Sequence, residues 1–302
     1  MKLNLTQVLS HSFQLGLIYT HPSSSYVYEA SQKEIKLILT ARNSNNYSYL
    51  FKIEIEIPSG KAIIDGPILD LGTIDSLDHK GTSYPCIFKY QNKKKIFYTG
   101  WAGSNNTPFI NSLFTAAFDF NRPKRELVKI NCGDQEIKEV GSVDIKFFND
   151  NYYLFFTHFD TWQGNNPSYD ISVAKSFDSI NWSIDDRFNL KSINNIQSEM
   201  ICRPSIIENQ SKFFMFFCHR SASFDYKIGL AVSNDFFKWE LLSQDIFDGQ
   251  SLPLWCNKGQ SYPHIFFDKY HDNFYLFFAG NSYGKDGFGF SKLKESFFKQ
   301  YD

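Results

Sequence analysis

The sequence has few methionines and no pattern of paired cysteines. Its 302 residues include 3 Met and 5 Cys. The cysteines are odd in number, scattered and without C-x-x-C spacing, which argues against a disulfide framework or a structural zinc site. A protein with reduced thiols is typical of the cytoplasm, so a cytoplasmic location is expected.

Charge of one sign and long apolar runs are also lacking. The 31 Lys and Arg residues nearly balance the 32 Asp and Glu residues. No field of one sign would attract DNA, RNA or an anionic membrane, so no nucleic-acid partner is expected. No segment approaches the roughly 20 apolar residues needed to span a bilayer. The first residues do not have the pattern of a signal peptide.

Aromatic residues are abundant, with 32 Phe and 17 Tyr. Aromatic side chains favour pleated strands, and no long segment has the 3.6-residue period of an amphipathic helix. The composition therefore predicts an all-β fold.

An internal repeat organises this β-rich chain. A polar residue, usually followed by Pro, precedes an apolar pair, a turn and an aromatic strand. The starts lie about 60 residues apart, the length of a four-stranded propeller blade with its loops. We predict one domain, residues 1–302, that folds as a five-bladed β-propeller of four-stranded antiparallel blades around a central funnel. The N-terminal segment would close the ring, and the blades would cover approximately residues 20–75, 80–130, 140–190, 199–243 and 260–302.

The repeated starts point to one site. Proline lacks an N–H donor and is tolerated at the first residue of a strand. In a propeller the first strands converge on the central axis, so the residues at the starts would meet in the funnel. These residues are His21, Tyr84, Asp144, Arg203 and Tyr262.

Several segments resemble five-bladed glycoside hydrolases of families 43, 32 and 130. They include LDLG at 69–72, DHKG at 78–81, YDISVAKS at 169–176, RPSII at 203–207 and YPHIFFD at 262–268. The similarity is greatest to glycoside hydrolase family 32-like proteins associated with bacterial surface-polysaccharide synthesis. This resemblance covers roughly residues 20–293 and implies a carbohydrate or nucleotide-sugar substrate and acidic catalytic residues at the ring centre.

Glycoside hydrolysis usually needs two carboxyl groups. The resemblance implies Glu199 as proton donor, Asp144 as the residue that tunes its pKa, and His21 or Asp78 as base or stabiliser. Family 43 has Asp before Pro in the first blade, whereas this chain has His21. Asp-Asp-Asp-Gly is common where this chain has Asp-His-Lys-Gly.

Further polar and aromatic residues near the strand starts and second-strand ends are expected to bind substrate. The predicted set is Arg203, Tyr84, Tyr262, His264, His79, Trp101, His158, Asp160, His219, Arg220 and Asn281. No cofactor is predicted, and the spacing of His21, His79 and His264 follows no local zinc pattern, so no metal site is predicted. Two alternatives remain open: a non-catalytic carbohydrate-binding propeller, and another group transferase in glycan assembly.

Overall fold

The computed structural model describes residues 3–57, 59–104, 107–119, 124–163, 166–194, 196, 200–221 and 223–301. Strands dominate this part of the chain. They are β1 (Asn4–Leu9), β2 (Ser12–Leu15), β3 (Leu17–Thr20), β4 (Ser25–Ala30), β5 (Glu34–Arg42), β6 (Ser48–Glu56), β7 (Ala62–Asp65), β8 (Gly81–Tyr90), β9 (Lys93–Ala102), β10 (Ile110–Ala117), β11 (Glu126–Leu127), β12 (Ile130–Cys132), β13 (Gln135–Glu136), β14 (Val140–Phe148), β15 (Asn151–Gln163), β16 (Asn166–Ser176), β17 (Trp182–Ile184), β18 (Met200–Asn209), β19 (Lys212–Ser221), β20 (Phe224–Ser233), β21 (Glu240–Ser243), β22 (Ser261–Asp268), β23 (Asn273–Ala279) and β24 (Phe288–Leu293).

Helical structure is confined, in the part of the chain given above, to α1 (Lys191–Asn194), α2 (Asn281–Gly284) and α3 (Glu295–Lys299). The α2 turn contains two residues with left-handed backbone angles, Ser282 and Tyr283. None of these helices is long and apolar enough to cross a membrane. The predicted all-β class is therefore confirmed.

The strands pair in antiparallel groups of four. The groups are β4–β7, β8–β11, β14–β17, β18–β21, and β22–β24 with β1. In the last group the outer strand is β1, which pairs with β24 although the two are separated by most of the chain. The first strands of the groups, which we call the inner strands, are β4, β8, β14, β18 and β22.

Apolar side chains fill the spaces between neighbouring groups. Ile38 and Leu50 of the first group pack with Ile96 of the second. Equivalent clusters join the second group to the third, the third to the fourth and the fourth to the last. A further cluster joins the first group, through Leu37, to Phe277 of the last. The alternation of buried aromatic and aliphatic residues along the strands thus produces a core divided among the group interfaces.

The Pro residues of the repeat do not begin their strands, contrary to the sequence prediction. Pro85 lies inside β8, where the pairing with β9 shifts between Ser83 and Cys86. Equivalent shifts occur at Cys202/Ser205 of β18 and Ser261/His264 of β22. A bulge interrupts the ladder, so a residue without an N–H donor is accommodated inside a strand.

The residue before each of these prolines has a positive φ. The angles are 53° at His21, 52° at Tyr84, 55° at Arg203 and 58° at Tyr262. Residues other than Gly rarely adopt this backbone conformation, and such strained residues cluster at functional sites. The repeated strain therefore marks one region of the fold as a candidate site.

Candidate functional site

A cavity of about 570 Å³ lies where several inner strands and second strands of the groups approach one another. This volume is within the range of ordinary small-ligand sites. Four residues of the predicted set line it together, namely Tyr84, Trp101, Arg220 and Tyr262. The lining also includes residues that the sequence analysis missed: Arg42, Lys80, Phe109, Asn111, Ser142, Thr157, Phe159, Tyr169, Cys202, Tyr226 and Tyr283.

Tyrosine and tryptophan rings form much of the cavity wall. The Tyr84 ring lies 5.3 Å from that of Tyr262 and 6.1 Å from that of Trp101, measured between centroids. Burial raises the pKa of Tyr84 to about 12, and it raises those of Tyr226 and Tyr262 well above their usual value. The phenols stay protonated near neutral pH and present neutral hydroxyl groups beside apolar ring faces.

Glycine opens one side of the cavity. The shift in β14 lies between Val140 and Val143, so Gly141 occupies the place that Tyr84 has in β8. A Cβ at Gly141 would lie 2.9 Å from Cβ of Thr157, closer than real contacts allow. This register corrects the comparison of the repeats, which put Asp144 at that place. The comparison was wrong because the third group has no Pro to mark its bulge.

Asp144 lies in the packed centre and is not among the residues that line the cavity. It is 2% exposed. Its Oδ2 accepts a hydrogen bond from the backbone N–H of Ile206 at 2.7 Å and lies 3.1 Å from Nζ of Lys146. The bond to Ile206 ties β14 to β18.

Asp78 is fully buried and already paired. Its Oδ2 lies 2.8 Å from Nη1 of Arg125 and accepts a hydrogen bond from the Tyr98 hydroxyl at 3.0 Å. The neighbouring His79 contacts the backbone oxygen of Ser76 through Nδ1 at 2.7 Å. Both predicted residues hold the loop before β8, and neither is part of the cavity lining.

Arg203 is buried and connects inner strands. Its Nη2 donates to the backbone oxygens of Ser25 at 2.8 Å and Pro85 at 3.3 Å. Its Nη1 donates to the oxygen of Val143 at 3.4 Å. The guanidinium therefore bonds backbone of β4, β8 and β14, and Arg203 is not among the cavity-lining residues.

His264 and His219 are buried in the strand framework. Nε2 of His264 accepts a hydrogen bond from the backbone N–H of Val27 at 2.9 Å, which requires that nitrogen to be unprotonated. Burial, reinforced by the charges of Arg203 and Lys146, holds the pKa of His264 well below its usual value. Nε2 of His219 contacts the backbone oxygen of Gln244 at 2.6 Å.

The other predicted residues are dispersed. His21 lines a shallow pocket with Trp255, and His158 lines another with Glu139. Asn281 is 2% exposed and receives hydrogen bonds from the backbone N–H groups of Lys258 and Gly259, which pins the loop before β22. The Asp160 side chain and the whole of Glu199 lie outside the described residues.

No metal centre emerges from the placement of these side chains. In the ranges that the structure describes, no three His, Cys, Asp or Glu residues are grouped so that they could hold an ion. His21 and His264 lie in different environments, because His21 lines a surface pocket and His264 is buried.

A sequence signal existed for one of the missed residues. Arg42 ends β5, just as Arg220 lies at the end of β19 and Trp101 at the end of β9. The expectation that residues near second-strand ends bind substrate, applied to the first strand group, identifies Arg42. Phe109, Tyr169 and other lining residues carry no comparable signal, because only the packing of the groups brings them together.

Comparison with known proteins places this geometry in a structural class. No family model matches the chain. A structure described as a glycoside hydrolase superposes with a TM-score of 0.68 at 10% identity, over 96% of this chain and 92% of the other. A family-43 glycoside hydrolase, described as thermostable, gives a TM-score of 0.57 at 14% identity, over 90% and 88%. The chain thus has the propeller-like fold of glycoside hydrolases.

More particular similarities join the chain to individual proteins. β-1,2-Mannobiose phosphorylase from Listeria innocua covers 99% of both chains with a TM-score of 0.69 at 11% identity. Two uncharacterized proteins from strains of Mycobacterium tuberculosis are each 23% identical over 271 residues, which is 86% of this chain and 88% of theirs.

Proposed function

We propose that this chain is a carbohydrate-active enzyme that cleaves or transfers a glycosyl group in the cavity lined by Tyr84, Trp101 and Tyr262. The observation that carries the proposal is the aromatic cavity itself, set in a glycoside hydrolase fold. The C–H-rich faces of sugar rings suit aromatic surfaces, and phenol and serine hydroxyls supply hydrogen bonds for sugar hydroxyls.

We further infer that the strand groups are the five blades of one closed domain around a central funnel. Three observations support closure. The inner strands contact one another in the order β4, β8, β14, β18 and β22, and β22 also contacts β4. The hydrogen bond from Val27 to His264 joins the same two strands, and an apolar cluster lies between their groups.

Glu199 is the proposed proton donor. It directly precedes Met200, which pairs with the cavity residue Arg220. Asp144 and Asp78 take structural parts in this proposal, because each is buried with hydrogen-bonded partners. The biological setting that we propose is bacterial surface-polysaccharide or nucleotide-sugar metabolism, on the sequence resemblance alone.

The test is turnover of a panel of oligosaccharides, aryl glycosides and nucleotide sugars, each with and without inorganic phosphate. Phosphate is included because one similar structure is a phosphorylase. Glu199→Gln is expected to lower kcat about 10²–10⁴-fold, the usual contribution of general acid catalysis. The matched control is Glu240→Gln at an exposed site in β21, which is expected to retain full activity. Full turnover by Glu199→Gln would remove Glu199 from the mechanism.

A second candidate is a carbohydrate-binding protein without catalysis. A specific observation favours it: no Asp or Glu among the described residues lines the cavity, whereas glycoside hydrolysis usually needs two carboxyl groups. Sugar binding without any cleavage or transfer across the panel would support this candidate over the enzyme.

A further inference from the structure

The described lining of the cavity contains more positive charge than negative charge. Arg42, Lys80 and Arg220 line it, without any described Asp or Glu in the lining. Across the described ranges, none of the three lies within ion-pair distance of a carboxylate. The whole chain has a formal net charge of −1. Among the described residues, the excess of positive charge is therefore a local property of the cavity lining.

Arg220 is held in place by aromatic residues. Its guanidinium carbon lies 5.3 Å from the ring centroid of Tyr226 and 5.7 Å from that of Tyr283. Its Nη1 donates a hydrogen bond to the Tyr283 hydroxyl at 2.7 Å. Burial raises the pKa of Tyr226 and Tyr283, so these two partners are neutral near pH 7 and do not offset the guanidinium charge.

Arg42 and Lys80 extend the positive charge along the lining. Nη1 of Arg42 donates to the neutral Oδ1 of Asn46 at 3.1 Å. After burial, the charge of Arg42 is the next largest cause of the lowered pKa of His21. Lys80 is exposed, and a Cβ at Gly103 would lie 3.1 Å from its Cε, so the Lys80 side chain runs close to the loop after β9.

We infer that the cavity binds a sugar that bears an anionic group, a phosphate or a carboxylate, which Arg42, Lys80 and Arg220 hold. This inference rests on the proposed function for the sugar part of the ligand. The guanidinium fork matches the oxygen pairs of carboxylate and phosphate, and lysine adds a mobile point charge. The aromatic wall contacts the sugar ring, and the basic residues select the charged substituent.

Isothermal titration calorimetry on the full chain tests the inference with matched sets of probes. Each set contains a neutral hexose, its uronate and its phosphate, in the gluco, galacto and manno series, with inorganic phosphate as a further probe. We expect at least one anionic sugar to bind ten-fold or more tightly than its neutral counterpart. Whichever of the uronate and the phosphate binds more tightly identifies the anionic group.

Charge-removing variants locate the binding. Arg42→Gln and Lys80→Gln are each expected to weaken binding of the anionic sugar about ten-fold, which equals about 1.4 kcal/mol. Binding of the neutral sugar should change little. Lys89→Gln, an exposed position in β8 away from the cavity lining, is the matched control and should leave both affinities unchanged. Arg220 packs between aromatic rings, so the fold of Arg220→Gln is first compared with that of wild type by thermal melting.

Three results would overturn the inference. The first is equal affinity for neutral and anionic sugars. The second is no binding of any anion at about 10 mM, a concentration that would detect a millimolar Kd. The third is unchanged anion affinity in both Arg42→Gln and Lys80→Gln. The readout is independent of turnover. Cleavage of neutral sugars without anion binding would refute the inference alone, and anion binding without turnover would refute the proposed enzyme alone.

Discussion

At the scale of single residues, the centre of the molecule is a network of buried polar side chains. Arg203 donates to backbone oxygens of Ser25, Pro85 and Val143, and the Asp144 carboxylate accepts from a backbone N–H of β18. Bulged strands leave carbonyl and N–H groups without ladder partners, and a buried unpaired group costs about 1–3 kcal/mol. Arg203 and Asp144 supply such partners, so a residue type typical of functional sites here forms hydrogen bonds to the backbone.

The buried His264 makes stability depend on pH. Its pKa in the folded state lies well below the ordinary value near 6.5, mainly because of burial. Below pH ~6.5 the unfolded state therefore binds a proton that the folded state does not bind, and the stability of the fold decreases as pH falls. We expect the unfolding free energy to drop between pH 7 and pH 5, with up to about 1.4 kcal/mol per pH unit due to this residue.

Urea denaturation of wild type and His264→Gln across this range measures the effect. A glutamine oxygen can still accept the hydrogen bond from Val27 but does not titrate, so the variant should have the shallower pH dependence. His219, whose pKa burial also lowers, titrates in both proteins and leaves a common background. Identical slopes for the two proteins would show that His264 does not cause the acid sensitivity.

At the scale of strands, close approach of backbones joins the two ends of the chain. Gly289 in β24 pairs with Gln7 in β1. A Cβ at Gly289 would meet the backbone oxygen of Thr6 and would lie 2.9 Å from the Trp255 ring. Because a backbone atom cannot rotate away, only glycine allows β1 to lie at this distance.

Gly289→Ala is therefore expected to lower the unfolding free energy by about 1–3 kcal/mol, as overpacking usually does. The control is Gly133→Asn, since a Cβ at Gly133 meets nothing within 4 Å and Asn tolerates its φ of +59°. That substitution should change stability by less than about 0.5 kcal/mol. Chemical denaturation followed by circular dichroism gives both values. An unchanged denaturation midpoint for Gly289→Ala would mean that β1 can move without loss of stability.

At the scale of the whole molecule, the core is shared between neighbours and does not lie inside any one strand group. Each of the five clusters between groups draws residues from two of them, including the cluster that joins the first group to the last. Each group covers its neighbours' apolar faces, as in repeat architectures generally. The chain should therefore unfold as one unit, in agreement with the proposed single domain.

Separate production of residues 1–128 and 129–302 tests this dependence. The cut exposes the clusters around Phe97 and Phe277, which each need both halves. We expect neither half alone to show a cooperative thermal transition by circular dichroism. Refolding the two halves together is expected to restore the cooperative transition. Independent cooperative unfolding of either half would show more than one domain.

The sequence by itself determined the all-β class and the position of the repeats, because aromatic strands and X-Pro steps are local features that recur about every 60 residues. The same features led to Tyr84, Trp101, Arg220 and Tyr262, which line one cavity. Only the tertiary structure separated these from Asp144, Arg203 and His264, since a buried side chain bonded to backbone and one open to a ligand have the same local sequence. It also brought in Lys80, Phe109 and Tyr169, whose distance along the chain hides their proximity. The contents of a cavity between packed strand groups follow from register and packing, which residue periodicity does not specify.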